Sequence, residues 1–332
     1  MSQLPIVALV PTGGTIGARG RDRLDLAFYG ELDQQHAMEE LLEVIPEVRA
    51  VARVRPVPFR SAASHALQVE DVLRLARRVV QLVADPSVDG VVVTHGTNTL
   101  EETAFVLALV LSTDKPVVLT GSMRPASGLS SDSPINLFNA IRLAAAPGAS
   151  GRGVLVLMDD TVHSARDVTK ASTARLDAFR GAELGPLGFI EPDGSVLFHH
   201  RREPWPAEGA FSVSGLAALP RVDVVMSYLG ADASLIDASV RAGAAGIVSA
   251  GTGAGFPTPA EQAALEAAAD GGVVVVQASR TGSGRVGVSP AVMARGIVSA
   301  GNLAPVKARL LLMLVLTRTH DPRRVAEYFG CA

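Results

Sequence analysis

The sequence holds one cysteine, Cys331, in 332 residues. A single thiol cannot close an intramolecular disulfide or build a cysteine-based metal cluster, and such a chain fits a reducing compartment. Aromatic residues are scarce too, at 4%, and charged residues make up only 19%. With 30 basic and 33 acidic residues the net charge is −3, so no excess of either sign is available to hold nucleic acid or an anionic membrane. The arginine-rich spots, Arg49 to Arg60, Arg77-Arg78 and Arg201-Arg202, are short and interrupted, and read as solvated surface. No apolar run is long enough to cross a bilayer. The opening Met-Ser-Gln-Leu-Pro passes into an apolar stretch with no basic leader and no small-residue cleavage site. The expectation is a soluble, cytoplasmic protein with no nucleic-acid or membrane partner.

Hydrophobic residues make up 48% of the chain. Ala, Val and Leu take the place of aromatics, a mixture suited to parallel strands covered on both faces. The periodicities alternate. Strands are expected at Ile6 to Val10, Val51 to Val57, Gly90 to Val93, Pro116 to Thr120 and Gly153 to Met158. Helices fall between them at Gln35 to Val44, Gln68 to Val83, Leu100 to Leu111 and Ile135 to Ala146. The rhythm dissolves into scattered Gly, Pro, His and Arg over 193–219, which reads as a linker with a short hairpin. It then resumes with strands at Val222 to Met226, Gly246 to Ser249 and Val273 to Gln277, and helices at Ala233 to Ala242, Pro259 to Ala269 and Ala304 to Thr317. The expected fold is α/β. A larger N-terminal domain over 1–192, with a doubly wound and mainly parallel sheet, is joined by the linker to a smaller α/β domain over 220–332.

Open parallel sheets bind ligands beyond the carboxyl ends of their strands, and three such stretches are polar. "VPTGGTIG" follows the first strand; its glycines permit a tight turn and place the Thr15 hydroxyl beside it. "VVVTHGTNTLEET" runs from a buried strand into a helix, whose first backbone donors would favour a carboxylate or a developing oxyanion near Thr97 and Asn98. The stretch from Asp159 to Lys170 follows the strand that ends at Met158. A desolvated lysine there, beside a threonine hydroxyl, could accept a proton from a nucleophile. Three strand ends of one sheet carrying Thr15, Thr97 and Lys170 make a candidate hydroxyl-nucleophile site. Taken singly, each stretch also reads as a turn, a helix cap or a surface lysine. The spacing G-G-x-x-G is not the dinucleotide fingerprint G-x-G-x-x-G, and no Walker lysine motif is present. His199-His200 has no partner at metal-ligand spacing, so neither metal nor cofactor is expected.

"PTGGTIG", "THGTNTLEETAFVL", "KPVVLTGSMRP", "INLFNAIRLA", "GVLVLMDDTVHSARDVTK" and "GPLGFI", in this order, resemble the bacterial-type L-asparaginase family. "GNLAPVKARLLLMLVLT" resembles the family's C-terminal segment. The resemblance spans nearly the whole chain. It implies homotetramers (or dimers) of two-domain subunits, with each site completed by a neighbouring subunit. It also implies hydrolysis of a small amino-acid amide, by default L-asparagine to L-aspartate and ammonia. The family's nucleophile falls on Thr15, its second threonine on Thr97 and its lysine on Lys170. The loop tyrosine falls on Tyr29, with Phe28 or a gap as alternatives. The substrate-holding serine falls on Ser64, and backbone groups around Gly96 and Thr97 are implied to face the substrate.

The chain departs from the family around one part of the substrate. The family's His-Gly-Thr-Asp-Thr, whose aspartate gathers the α-ammonium, here carries Asn98. The glutamine after the serine is His65. Gly230 lies near a position where the family supplies an asparagine to a neighbour's site, and "SRTGSGRVGVSP" contains no glutamate. Losing the carboxylate removes a charge-assisted contact of about 1.5–3 kcal/mol. The Asn98 amide can still hold an ammonium through its carbonyl oxygen, and beside that asparaginase reading stand three alternatives: an amidase for an acid amide without an α-ammonium, a non-catalytic sensor, or the amidase subunit of a tRNA-dependent amidotransferase. Retention of Thr15, Thr97 and Lys170 argues against the sensor. The amidotransferase subunit should carry a further N-terminal domain before the first strand.

Overall fold

Branched apolar runs bounded by turns dominate the first two hundred residues, and they form the parallel centre of an eight-stranded sheet. The computed structural model describes residues 3–203 and 205–330; Cys331 lies outside them. The chain divides into two units, Met1–Glu203 and Pro204–Ala332.

In the first unit, strands β1 (Ile6–Pro11), β2 (Arg53–Pro56), β3 (Gly90–Thr94), β4 (Val117–Thr120) and β5 (Val154–Met158) all pair in parallel, in the order β5-β4-β3-β1-β2. Helices α1 (Met38–Glu43), α2 (Val69–Ala84), α3 (Leu100–Val110) and α4 (Ser133–Ala145) connect them. Amphipathic α2 is capped by Gln68, whose backbone N–H donates to the Asp71 carboxylate at 2.9 Å. By contrast α3 is apolar on every side from Ala104 to Val110. Phe105, Leu107 and Leu109 are fully buried, each contributing about 1.5–3 kcal/mol of transfer free energy. The helix that extends from the polar loop after β3 is therefore anchored in the interior.

Beyond β5 the pattern changes hand. Short strands β6 (Thr161–Ser164), β9 (Gly188–Ile190) and β10 (Val196–Phe198) extend the sheet antiparallel to one another. β10 lies inside the stretch expected to be a linker and pairs with β9 from Val196↔Ile190 to Phe198↔Gly188. Between them β7 (Val168–Lys170) and β8 (Phe179–Gly181) form a separate two-stranded ribbon. This corrects one expectation. Lys170 is not at a strand end of the main sheet; it ends β7, and Lys170 pairs with Phe179 across that ribbon. Asp159 and Asp160, both at positive φ, turn the chain back at Met158, so β5 leads into a hairpin rather than a crossover helix.

The second unit has a parallel four-stranded sheet, β11 (Val222–Met226), β12 (Gly246–Gly251), β13 (Val274–Ser279) and β14 (Val298–Ser299), in that order. Helices α5 (Ser234–Arg241), α6 (Pro259–Asp270), α7 (Pro290–Ala294), α8 (Pro305–Val315) and α9 (Pro322–Phe329) accompany it. Thr258 caps α6, its hydroxyl accepting from the Glu261 N–H at 3.2 Å. Gly230, in the turn after β11, has φ +79 and open space around its Cα.

Register brings the polar loops of the first unit together. Pro11 pairs with Thr94, so the loops after β1 and β3 leave the sheet side by side. The Thr12 N–H donates to the Thr94 carbonyl at 3.0 Å, and the Ala62 N–H, from the loop after β2, donates to the Thr12 carbonyl at 3.0 Å. Gly14 has φ +95, and a Cβ there would sit 2.3 Å from Gly96 Cα; a Cβ on Gly96 would sit 2.6 Å from Ser64 Oγ. The loops after β1 and β3 thus stack backbone on backbone, the Ser64 side chain closes on Gly96, and both contacts are open only to glycine. Gly14→Ala combines a left-handed conformation with a backbone clash, and is expected to cost about 2–5 kcal/mol. Urea unfolding reads this directly; unchanged stability would show that the loops are not held this closely.

Candidate active site

The stacked loops line a cleft with about 280 Å³ of room. Thr15, Tyr29, Ser64, His65, Gly96, Thr97, Asn98 and Lys170 all line it, whereas Phe28 and Gly230 do not. Gly13 and Gly14, both at positive φ, turn the chain sharply after β1, and a short 3₁₀ turn at Thr15–Gly17 comes next. Ser133 Oγ donates to the Ile16 carbonyl at 2.6 Å and ties that turn to the start of α4.

Two hydrogen-bonded pairs occupy the cleft. The Thr15 and Tyr29 hydroxyls lie 2.9 Å apart. Tyr29 begins a 3₁₀ helix, Tyr29–Leu32, while its neighbour Phe28 is 62% exposed. Of the two loop aromatics it is Tyr29 that meets Thr15. The second pair is Lys170, whose Nζ donates to Thr97 Oγ1 at 2.8 Å and more loosely to Asn98 Oδ1 at 3.4 Å. Thr97 is buried and Asn98 exposed.

Burial pulls the Lys170 pKa below the ordinary lysine value, opposed by the Glu101 carboxylate. Glu101 lies in the first turn of α3, and its carboxylate accepts from the Lys170 backbone N–H at 3.2 Å. It therefore anchors the strand that carries the lysine, a role that sequence reading missed. The signal for it was position alone, four residues beyond Thr97 and hence one helical turn along.

His95 is a second structural element that sequence reading did not single out. It is fully buried, with its Nδ1 2.8 Å from the Gly96 carbonyl and its Nε2 3.0 Å from Thr103 Oγ1. A neutral ring fits this arrangement, Nδ1–H donating to Gly96 and Nε2 accepting from Thr103. Burial lowers its pKa to about 4, with the bond to Gly96 opposing, so the imidazole is uncharged at neutral pH. It acts as a strut behind Gly96.

Ser64 is 3% exposed, and its buried hydroxyl has no hydrogen-bond partner among the described residues. A buried hydroxyl left without a partner costs free energy, so a polar ligand atom entering the cleft would recover it. The Ser64 carbonyl accepts from Thr99 Oγ1 at 2.9 Å, fixing this loop to the start of α3. His65 is exposed at the rim. No cluster of three or more His, Cys, Asp or Glu able to hold a metal occurs among the described residues. The cleft can present a threonine hydroxyl, a lysine of lowered basicity and an unused donor to a small polar molecule.

Two family models cover the chain. "Asparaginase, N-terminal" matches residues 6–204, and "Glutaminase/Asparaginase C-terminal domain" matches residues 221–329. L-asparaginase 2 of Bacillus subtilis is 40% identical over 330 residues, covering 98% of this chain and 86% of that one. A protein of Haemophilus influenzae described as a probable periplasmic L-asparaginase is 38% identical over 330 residues, covering 99% and 93%. Among solved structures, the probable cytoplasmic L-asparaginase of Campylobacter jejuni superposes with a TM-score of 0.93 at 37% identity, covering 98% of this chain and 99% of that one.

The buried imidazole makes stability depend on acid. Unfolding restores an ordinary histidine pKa near 6.5, so the unfolded chain binds a proton that the folded one refuses. The stability His95 confers is complete above pH 6.5 and is lost as pH falls toward about 4. The full difference amounts to about 3 kcal/mol. Urea unfolding at pH 7 and pH 4.5 should show a loss that is smaller in His95→Gln by roughly that amount. Identical acid losses in both proteins would contradict a neutral buried ring.

Proposed function

The chain belongs to the asparaginase family, and we propose that it is an amidohydrolase that converts L-asparagine to L-aspartate and ammonia through a threonine nucleophile. The observation that carries this reading is the meeting of Thr15–Tyr29 and Thr97–Lys170 in one cleft. The relatives named for L-asparaginase activity supply the substrate.

In the proposed reaction Thr15 Oγ attacks the carbonyl carbon of the side-chain amide. A C–O bond forms, and the hydroxyl proton leaves through Tyr29 or through Thr97 and Lys170 in its neutral form. Backbone N–H groups around Gly96 and Thr97, at the start of α3, meet the developing oxyanion. The proton is delivered to the amide nitrogen, the C–N bond breaks and ammonia departs, leaving an aspartyl ester on Thr15. Water then attacks the ester, its proton returns to Thr15 Oγ, and aspartate is released. Ser64 satisfies its hydroxyl on the bound substrate. A second reading has specific support in exposed Asn98, which brings no charge to the ammonium's expected position: the substrate would then be an acid amide without an α-amino group.

Cytoplasmic residence is proposed on the single cysteine and on the description of the Campylobacter relative. The Haemophilus relative is described as periplasmic, so cell fractionation decides between the two. No helix among the described residues is long and apolar enough to cross a membrane. Self-assembly is also proposed. In the second unit Leu229 is fully exposed, and Met226, Tyr228 and Phe256 are more than half exposed, apolar surface that association would cover.

Ammonia release from asparagine, glutamine and succinamate tests the reaction and separates the two substrate readings. Asparagine should be hydrolysed, and Thr15→Ala should lose at least a thousandfold in kcat while folding normally. Thr97→Ala and Lys170→Met should each lose most activity. As they share one proton path, the double variant should cost far less than the product of the two effects. Near-normal turnover by Thr15→Ala would refute the nucleophile. Sedimentation of the active protein should give an oligomer; an active monomer of 34.4 kDa would refute self-assembly.

A further inference from the structure

Asn98 leaves the cleft without a carboxylate where a substrate ammonium is expected, yet one carboxylate does line the cavity. It belongs to Asp33, the residue that ends the 3₁₀ helix begun by Tyr29. Among the residues lining this cleft it is the single acidic one, and Lys170 is the lysine it would balance. Asp33 makes no hydrogen bond or ion pair among the described residues, whereas Glu31, two residues earlier, is paired with Arg21. Its backbone is also unusual, with φ 48 and ψ 35 in the left-handed region. That conformation is uncommon for a residue with a Cβ, and such positions gather at sites where function over-determines the backbone.

On the reading of the cleft as an amidohydrolase site, we propose that Asp33 is a specificity residue that supplies the negative charge for the substrate's α-ammonium in place of position 98. Three observations converge. A carboxylate that lines the cleft and makes no ion pair among the described residues is free to meet a cation that enters. The cavity's other ionised wall group, Lys170, repels an ammonium whenever it is protonated, so a compensating charge is needed for an amino-acid substrate. Finally, Asp33 and Tyr29 bracket the same short helix, so the segment that meets the nucleophile also carries the charge that would orient the substrate. Because Asp33 is exposed, solvent screens the attraction and the effect should be moderate.

The test compares two amides that differ only in the ammonium, L-asparagine and succinamate, with the purified full-length enzyme. Asp33→Asn removes the charge and keeps a side chain that tolerates left-handed backbone, so folding should be preserved. The KM for asparagine is expected to rise about 3–10-fold, with kcat and the KM for succinamate unchanged. Adding Asn98→Asp to Asp33→Asn should lower the asparagine KM again, because a carboxylate returns to the cleft. Equal changes for both amides, or no change for either, would overturn the assignment, since a merely structural role cannot distinguish them. Hydrolysis of succinamate but not asparagine by the wild-type enzyme would also overturn it. Release of ammonia from neither amide would overturn the underlying amidohydrolase reading.

Discussion

The backbone of Gly14 lies against that of Gly96 with no room for a methyl group between them, and Gly96 in turn lies against Ser64. Everything in the cleft depends on this contact. Were a side chain present at either glycine, the loops after β1 and β3 would separate, and the hydroxyls of Thr15 and Thr97 would no longer share one cavity. The parallel register that ends β1 and β3 at the same level makes the approach possible. His95, held neutral by its burial, fixes the Gly96 carbonyl from behind. The polar loops are thus built on a dry and rigid support, as a site requiring sub-ångström placement needs.

The electrostatics arise from the same architecture. Lys170 stands on a two-stranded ribbon tied to α3 by Glu101, which holds its backbone beside Thr97 while burial weakens its basicity. An aspartate at position 98 would lie beside the Lys170 amine and favour its protonated form. The amide actually present avoids that cost and accepts a long bond from Nζ. On the proposal for Asp33, the charge that meets a substrate ammonium comes instead from the loop that carries Tyr29.

Much of the fold was legible in the sequence because its signals were long and redundant. Val222–Met226 is a strand over the residues that its composition indicated, and α2 and α3 begin within one residue of where periodicity put them. The antiparallel edge was not legible. Strands of three residues, such as β7, β9 and β10, are too short to show alternation, and the antiparallel edge begins at the tight Asp159-Asp160 turn between β5 and β6. Lys170 could therefore be named as a candidate while its support was misplaced. The candidates' convergence on one cleft was suggested by motif order. The Gly14–Gly96 approach and the strut role of His95 exist only in three dimensions, because they depend on which loops the register sets side by side. Asp33 carried no signal at all: its significance lies in having no partner.

Thr15 is proposed to carry the acyl group between departure of ammonia and attack of water. Acid-quenching the enzyme within its first turnovers on L-asparagine, then mass analysis of its peptides, observes that state directly. An aspartyl ester on Thr15, absent from Thr15→Ala, is the predicted result. An ester on Thr97 instead, or turnover with no covalent species under conditions that slow the water step, would contradict it.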